Sequence, residues 1–218
     1  MHKKTFFLLL AIVALAGLLF ALQIRRSQQI TVTRNPVALI SEKSAPITIS
    51  NTDPIFGNPG APITIVEFMD FNCKECLSIY NTAKEFILAH PQEIRFIWKD
   101  APQPKIFSKD TALAHRAGWC VFQQDEKKFW QFIDTASQNS SDLNESGLKN
   151  IATGLNLDIE KLWQCANSDL TKQKIEESSQ IMKGLGLNSL PIIFVNNKLI
   201  NTEADINIKD MLENFIKK

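Results

Sequence analysis

Two cysteines of the chain, Cys73 and Cys76, are separated by only two residues. Thiols at this spacing can close an intramolecular disulfide and exchange it with another thiol. The thiolate is the attacking species, and a helix N-terminus stabilises it through backbone N–H groups and the helix dipole. The intervening Lys74 favours a thiolate and Glu75 opposes it, so these two residues leave the redox potential open.

The alternative for this pair is a structural zinc site. Such sites take four ligands, and no second Cys-x-x-Cys motif or histidine pair follows Cys73 and Cys76 at a suitable spacing. We therefore predict redox chemistry at the pair, with no metal and no cofactor.

The pair lies between a predicted strand and a predicted helix. Residues 63–68 are rich in β-branched side chains and follow Pro62, and residues 94–98 form a second predicted strand. Between them, apolar residues recur at helical spacing as far as His90, at Leu77, Tyr80, Ala83, Phe86 and Ile87. A strand, a helix and a strand predict a right-handed parallel crossover, with the two cysteines at the N-terminus of its helix.

The rest of the chain predicts a helical block followed by a second, smaller sheet unit. Residues 108–187 have almost wholly helical patterning, and His115 on an apolar face there is interpreted as a satisfied core or rim histidine. Residues 191–196 predict a strand, Asn196 and Asn197 a hairpin turn, 199–200 its partner and 206–216 a closing helix. The fold class is therefore α/β, with a βαβ half, a helical insertion at about 105–187 and a ββα half.

The N-terminus is predicted to be a membrane anchor. Residues 6–22 are an unbroken apolar run, and residues 6–24 as a helix would span about 28 Å, close to the thickness of a bilayer core. No good Ala-x-Ala site follows, which favours an uncleaved single-pass anchor over residues 1–24; a cleaved signal peptide is the alternative. Basic residues flank both ends, so the positive-inside rule does not settle the orientation.

Residues 25–52 are polar and interrupted by Pro36 and Pro46, and we predict a flexible linker there. The remaining residues, 53–218, have the size of one ordinary domain.

Composition excludes several classes of protein. The 218 residues carry 24 basic and 23 acidic side chains, a net charge of +1, which argues against a strongly basic nucleic-acid-binding protein. With 44% hydrophobic residues the chain can bury a core, and it is not a charge-driven disordered protein. We expect a monomer that binds no nucleic acid.

The segment that leads to the cysteine pair resembles the opening of DsbA-like thioredoxin-fold disulfide oxidoreductases. The likeness rests on Asp53-Pro54, Gly57-Asn58-Pro59, Ala61-Pro62, residues 63–73 and Cys76, and continues through residues 114–120, 128–130, 157–165 and 185–196. It covers most of the chain from residue 53 onward and implies a thioredoxin fold with a helical insertion.

The resemblance also implies roles for individual residues. Cys73 corresponds to the exposed nucleophile and Cys76 to the resolving cysteine. Glu67 matches an acidic residue that is buried beneath the pair and exchanges protons with the inner cysteine; the alternative is a glutamate at a strand end that faces water. Pro191, after Leu190, matches a cis-proline that lies beside the disulfide and offers backbone hydrogen bonds to an incoming chain.

Two positions depart from the pattern of many relatives, which have proline or an aromatic residue after the nucleophile and Thr or Val before the cis-proline. Here these residues are Lys74 and Leu190. Together with Glu75, they are predicted to tune the redox potential and the choice of partner.

The other two cysteines, Cys120 and Cys165, fall inside the helical block. They match a structural disulfide found in some relatives; the alternative is two free buried thiols.

The resemblance implies a thiol:disulfide oxidoreductase. Together with the predicted anchor it predicts an enzyme tethered to the cell membrane, with its catalytic domain on the extracytoplasmic, periplasmic side. It would introduce disulfides into reduced or misfolded exported polypeptides, and a membrane partner of the DsbB or vitamin K epoxide reductase kind would reoxidise it. One alternative is a reductase or isomerase supplied by a membrane electron donor. Another is a redox-inactive chaperone that binds extended peptides.

Overall fold

The structure is a computed structural model that describes residues 40–44, 47–103, 111–201 and 207–217, together with five N-terminal residues. The chain divides into two units, Met1–Asn35 and Pro36–Lys218. In the first unit the described residues are helical and exposed: Leu15, Gly17, Leu18, Phe20 and Ala21. The rest of the predicted anchor, residues 1–24, lies outside the described residues. Within the described part of the chain, no helix combines the length and apolar character needed to cross a membrane.

The second unit is built on a six-stranded sheet with the order β1-β6-β5-β3-β4-β2. Its strands are β1 (Ile40–Ser44), β2 (Ile55–Gly57), β3 (Ile63–Met69), β4 (Ile94–Asp100), β5 (Ile192–Val195) and β6 (Lys198–Ile200). β3 and β4 are parallel, and every other neighbouring pair is antiparallel. The central strand β3 is covered on both faces, which explains its nearly continuous apolar sequence.

Seven α-helices of the described chain and one short 3-10 helix, Ser140–Asp142, complete this unit. The α-helices are α1 (Lys74–Ala89), α2 (Ala112–Gln124), α3 (Glu126–Gln138), α4 (Glu145–Gly154), α5 (Ile159–Asn167), α6 (Asp169–Gly184) and α7 (Ile208–Ile216). β3, α1 and β4 form the βαβ half, β5, β6 and α7 form the ββα half, and α2 to α6 lie between them. The predicted thioredoxin-type α/β fold with a helical insertion is confirmed.

Local sequence explains where several of these elements begin and turn. The insertion helices α3 to α6 each start after a polar side chain that accepts a hydrogen bond from the first turn, at Asp125, Asn144, Asp158 and Ser168. The predicted hairpin turn between β5 and β6 is confirmed, because Asn196 and Asn197 both have positive φ, as a type I′ turn requires.

Apolar side chains cover both faces of the sheet. On one face a large core joins β3 and β4 to α1, α7 and the insertion, with Met69, Cys76 and Trp98 almost fully buried. On the other face a smaller core contains Phe68 and Phe194, together with Met182 of α6. The sheet is therefore packed on both faces at the point where the chain leaves β3.

The folded unit begins earlier than the predicted boundary at residue 53. β1 lies inside the predicted linker of residues 25–52 and pairs with β6. Ile47 is buried, and the Nζ of Lys99 donates to the carbonyl oxygen of Thr48 at 3.0 Å. An edge strand needs backbone pairing on one side only, so its polar sequence does not exclude it from the sheet. Residues 25–39, 45 and 46 of that linker are outside the described chain.

Candidate active site

The cysteine pair forms a disulfide at the N-terminus of α1. Cys73 is the N-cap residue of this helix, with extended backbone angles, and its Sγ accepts a hydrogen bond from the backbone N–H of Cys76 at 3.1 Å. The S–S distance is 2.03 Å. Cys76 is fully buried, whereas Cys73 is half-buried. An incoming thiolate can therefore reach the sulfur of Cys73 but not that of Cys76.

The turn before the disulfide is held by Asp70, which is almost fully buried. Its carboxylate accepts hydrogen bonds from the backbone N–H groups of Asn72 and Gln103, both at 2.6 Å, and from the hydroxyl of Thr111 at 2.7 Å. Its carbonyl oxygen accepts from the N–H of Cys73 at 2.9 Å. These contacts tie the disulfide to the end of β4 and the start of α2, and the sequence analysis did not identify Asp70.

Glu67 lies in the middle of β3, between its register partners Trp98 of β4 and Ile193 of β5. Side chains alternate along a strand, so Glu67 shares the α1 face with Met69, in the core that also holds Cys76. It is fully buried, and neither carboxyl oxygen has a hydrogen-bond partner among the described residues. Burial raises the pKa of Glu67 well above its usual value. The alternative of a water-facing glutamate is therefore wrong.

This burial predicts a pH dependence of stability. The folded state keeps the Glu67 proton at pH values where the unfolded chain has lost it. As far as Glu67 is concerned, the free energy of unfolding is highest below the unfolded pKa of about 4.3, where both states are protonated. It falls by about 1.4 kcal/mol per pH unit as the pH rises from there toward the raised pKa of Glu67 in the folded protein. We expect Glu67→Gln to remove this decline, as measured by denaturant unfolding of the oxidised protein from pH 4 to pH 9.

The matched control is Glu85→Gln, since Glu85 lies on α1 but is exposed. It should retain the full pH dependence of the unaltered protein. Equal slopes in the Glu67→Gln variant and the unaltered protein would show that Glu67 ionises normally in the fold.

Pro191 lies at the same end of the central strands as the disulfide. The peptide bond between Leu190 and Pro191 is cis. β5 starts immediately afterwards, and its first residue, Ile192, pairs with Phe68 near the end of β3. Because β3 and β5 are antiparallel, the residue that enters β5 lies beside the turn that leaves β3 and leads to Cys73.

The three predicted tuning residues differ in their surroundings. Lys74 and Glu75 are exposed in the first turn of α1. Leu190 is half-buried and packs against the cores on both sheet faces. Within the described residues, no group of three or more His, Cys, Asp or Glu side chains is arranged to hold a metal ion.

The second cysteine pair also forms a disulfide. Cys120 of α2 and Cys165 of α5 are joined, with their Cα atoms 5.9 Å apart. Both sulfurs lie near the hydroxyl of Thr171 on α6, at 3.7 Å from Cys120 and 3.6 Å from Cys165. The disulfide joins α2 to α5, and the Thr171 hydroxyl of α6 contacts it at the same point.

His115 of α2 is a further polar residue in this core. It is fully buried, and its ring packs 4.8 Å from that of Phe71, measured between centroids. Its Nδ1 lies 2.7 Å from Oδ1 of Asp100, which also accepts a hydrogen bond from the indole N–H of Trp98 at 2.8 Å. Its Nε2 has no partner among the described residues. The prediction of a core histidine is correct, but only one of its ring nitrogens is satisfied there.

The disulfide lies at a helix N-terminus on a thioredoxin fold with a helical insertion, and its first cysteine is half-buried while its second is fully buried. These features define the chain as a DsbA-like thiol:disulfide oxidoreductase. A protein-family model described as Thioredoxin matches residues 49–218. The chain belongs to the thioredoxin family.

Individual relatives agree with this assignment. The "Probable disulfide bond formation protein D" of Bacillus anthracis is 27% identical over 180 residues, which cover 77% of this chain and 80% of that protein. Among solved structures, the thiol-disulfide exchange protein alpha-DsbA2 from Wolbachia pipientis matches with a TM-score of 0.65 and 22% identity, covering 77% of this chain and 87% of that one. Oxidised BdbD from Bacillus subtilis matches with a TM-score of 0.62 and 22% identity, covering 80% and 95%. These two structures are similar in fold.

Proposed function

We propose that the protein introduces disulfides into reduced or misfolded exported polypeptides, by passing on its Cys73–Cys76 disulfide. The observation that carries the proposal is the asymmetry of the pair: Cys73 is accessible at the start of α1, and Cys76 is fully buried behind it. A substrate thiolate then has one sulfur to attack, and the other is the leaving group.

The first step forms a bond between the substrate sulfur and Cys73 and breaks the bond between Cys73 and Cys76. Cys76 leaves as a thiolate inside the core, and Glu67 in its neutral form supplies the proton that makes it a thiol. Pro191 lies at the same end of the central strands, and its loop offers backbone hydrogen bonds to the bound chain.

In the second step, another thiolate of the substrate attacks the substrate sulfur of this mixed disulfide. The substrate disulfide forms and Cys73 leaves as a thiolate. The N–H of Cys76, which already points at the Cys73 sulfur from 3.1 Å, stabilises the anion. The substrate has lost two electrons and the enzyme has gained them. Lys74 and Glu75 follow Cys73 in sequence, and Leu190 precedes the cis bond to Pro191. These three residues tune the potential of the pair.

A partner must then take the two electrons. We propose a membrane protein of the DsbB or vitamin K epoxide reductase kind, with this chain tethered by an anchor at residues 1–24 on the extracytoplasmic side. Tethering raises the effective concentration of the domain near such a partner. The naming of the Bacillus relative as a disulfide bond formation protein supports the oxidising direction, and structural disulfides such as Cys120–Cys165 persist in extracytoplasmic compartments.

The test is a titration of the full chain against glutathione, with the two disulfides followed separately by mass spectrometry. We expect a Cys73–Cys76 potential of about −120 to −180 mV, the range of DsbA and protein disulfide isomerase. Such a pair gives its disulfide to substrates and is reduced in the process.

A potential of about −270 mV, as in thioredoxin, would contradict the oxidising direction and favour a reductase supplied by an electron donor. If Cys73 and Cys76 form no reversible disulfide, both enzyme functions fail, and peptide binding without redox chemistry becomes the better explanation.

A further inference from the structure

Thr111 is the N-cap residue of α2, but its hydroxyl accepts no hydrogen bond from the described first turn of that helix. A threonine at an N-cap usually accepts such a bond, which stabilises the helix by about 1 kcal/mol. Here the hydroxyl is almost fully buried and donates to Oδ2 of Asp70 at 2.7 Å. The side chain that would cap α2 therefore binds the turn that leads to the disulfide.

Asp70 accepts hydrogen bonds from three separate segments of the chain. Its Oδ1 accepts from the N–H of Asn72 within the turn, and its Oδ2 accepts from the N–H of Gln103, after β4, and from Thr111. The carbonyl oxygen of Asp70 accepts from the N–H of Cys73 at 2.9 Å. A carboxylate has two acceptor oxygens for these three side-chain bonds, whereas a side-chain amide has only one acceptor atom.

The next residue of the turn is held by the same helix. Phe71 is buried, and its ring packs 4.8 Å from that of His115 on α2 and 5.7 Å from that of Trp98 on β4, between centroids. The helical insertion therefore contacts two consecutive residues of the turn, one through a hydrogen bond and the other through ring packing.

The turn determines where the sulfur of Cys73 lies. Cys73 is the N-cap residue of α1, and its Sγ accepts a hydrogen bond from the N–H of Cys76 at 3.1 Å. Because a hydrogen bond to an anion is stronger than one to a neutral acceptor, this contact favours the reduced pair with Cys73 as a thiolate. That preference requires the turn to keep Cys73 at the cap position.

We propose that Asp70 is a positioning residue for the nucleophile Cys73, and that Thr111 of the helical insertion holds the Asp70 carboxylate in place for this role. The inference rests on the proposed function and deepens it. When the substrate disulfide forms, the bond between the substrate sulfur and Cys73 breaks, and Cys73 leaves with the electron pair as a thiolate. By fixing the turn, Asp70 keeps this thiolate in front of the N–H of Cys76.

The position of Asp70 and its charge have effects of opposite sign. Loss of the positioning contacts weakens the hydrogen bond to the Cys73 thiolate, which favours the disulfide and makes the enzyme a weaker oxidant. Loss of a negative charge near that thiolate stabilises the reduced form and makes the enzyme a stronger oxidant. The direction of the change in Asp70→Asn therefore separates the two effects.

The experiment measures the equilibrium between the full chain and glutathione at pH 7, with the Cys73–Cys76 pair followed by alkylation and mass spectrometry. In Asp70→Asn, we expect the equilibrium constant for reduction of the pair by glutathione to fall about 10-fold, which is about 30 mV for a two-electron couple. Thr111→Val keeps the carboxylate but removes its hydroxyl partner, and should lower the constant about 3-fold.

Three further variants separate positioning from a loss of stability. Thr111→Ser keeps the hydroxyl and should have the constant of the unaltered protein. Asp53→Asn changes another buried carboxylate, whose hydrogen bonds come from Lys99 and the N–H of Ser50. It should lower the free energy of unfolding and leave the constant unchanged. Added to Asp70→Asn, Thr111→Val should cause little further fall, because both changes act through one contact.

An unchanged constant in both Asp70→Asn and Thr111→Val would overturn the inference and leave the proposed function intact, and so would a rise in Asp70→Asn. Equal falls in Thr111→Ser and Thr111→Val, or in Asp53→Asn and Asp70→Asn, would contradict it as well. If Asp70→Asn does not fold, the two Thr111 variants decide. If the pair in the unaltered protein forms no reversible disulfide, the proposed function fails, and the inference fails with it.

Discussion

Replacing Cys73 with serine is expected to reduce thiol-disulfide exchange to the uncatalysed background. A hydroxyl cannot form a disulfide, and the remaining thiol of Cys76 is fully buried, so no substrate sulfur can reach it in the folded protein. The measurement is oxidation of a reduced peptide that contains two cysteines, with the enzyme supplied in its disulfide form. Residual turnover above background would show that Cys76 is accessible and that the assignment of Cys73 as nucleophile is wrong.

The matched variant, Cys76→Ser, is expected to behave differently. Cys73 remains accessible and reactive, and its thiolate attacks a substrate disulfide to form a mixed disulfide. No neighbouring thiol is left to resolve that bond, so the covalent complex accumulates and is visible on a non-reducing gel. Cys73→Ser should give little of this adduct under the same conditions. Equal adduct formation by both variants would contradict the assignment of Cys73 as the accessible cysteine and Cys76 as the buried one.

Sequence patterns predicted the part of the site that is determined by residues close together in the sequence. The β-branched run of β3 and the helical spacing of α1 are local signals, and they place Cys73 at the junction of strand and helix without further information. The resemblance to a known family then pointed to Glu67 and Pro191. The structure adds that Glu67 is buried and that the bond before Pro191 is cis.

The edge strands were missed because their signals are short or non-local. β2 has three residues, too few to show an alternating pattern, and ends at Gly57. A side chain there would meet the carbonyl oxygen of Ile94 at 2.8 Å, and its φ of +96° also favours glycine. The polar strand β1 is held by pairing with β6, more than 150 residues later in the chain. No sequence window contains both strands.

The polar network around the site was missed for the same reason. Asp70 is bonded to residues 33 and 41 positions away, and His115 to a residue 15 positions away. The helical pattern of α2 placed His115 on an apolar face but could not show which of its nitrogens has a partner. Such pairings depend on how strands and helices pack, so they become visible only in the folded chain.

Removing the Cys120–Cys165 disulfide is expected to cause the largest loss of stability. The bond closes a loop of 45 residues, and the chain-entropy relation gives about 4 kcal/mol for a loop of that length. We expect the double variant Cys120→Ala, Cys165→Ala to lose about this free energy of unfolding, which for a domain of this size lowers the Tm by about 8 to 16 °C. Thermal and denaturant unfolding of the oxidised proteins measure both quantities.

Exchange at Cys73 should be preserved in the double variant at 25 °C, because the turn that carries Cys73 is held by Asp70 and not by the second disulfide. Thr171→Val is the control, since it removes the hydroxyl beside both sulfurs but keeps the disulfide. Its free energy of unfolding should fall by about 1 kcal/mol. A loss below about 1 kcal/mol in the double variant would mean that α2 and α5 are held together by packing alone. The Cys120–Cys165 bond would then have little structural role. Its reduction in the glutathione titration would be interpreted as a second redox activity.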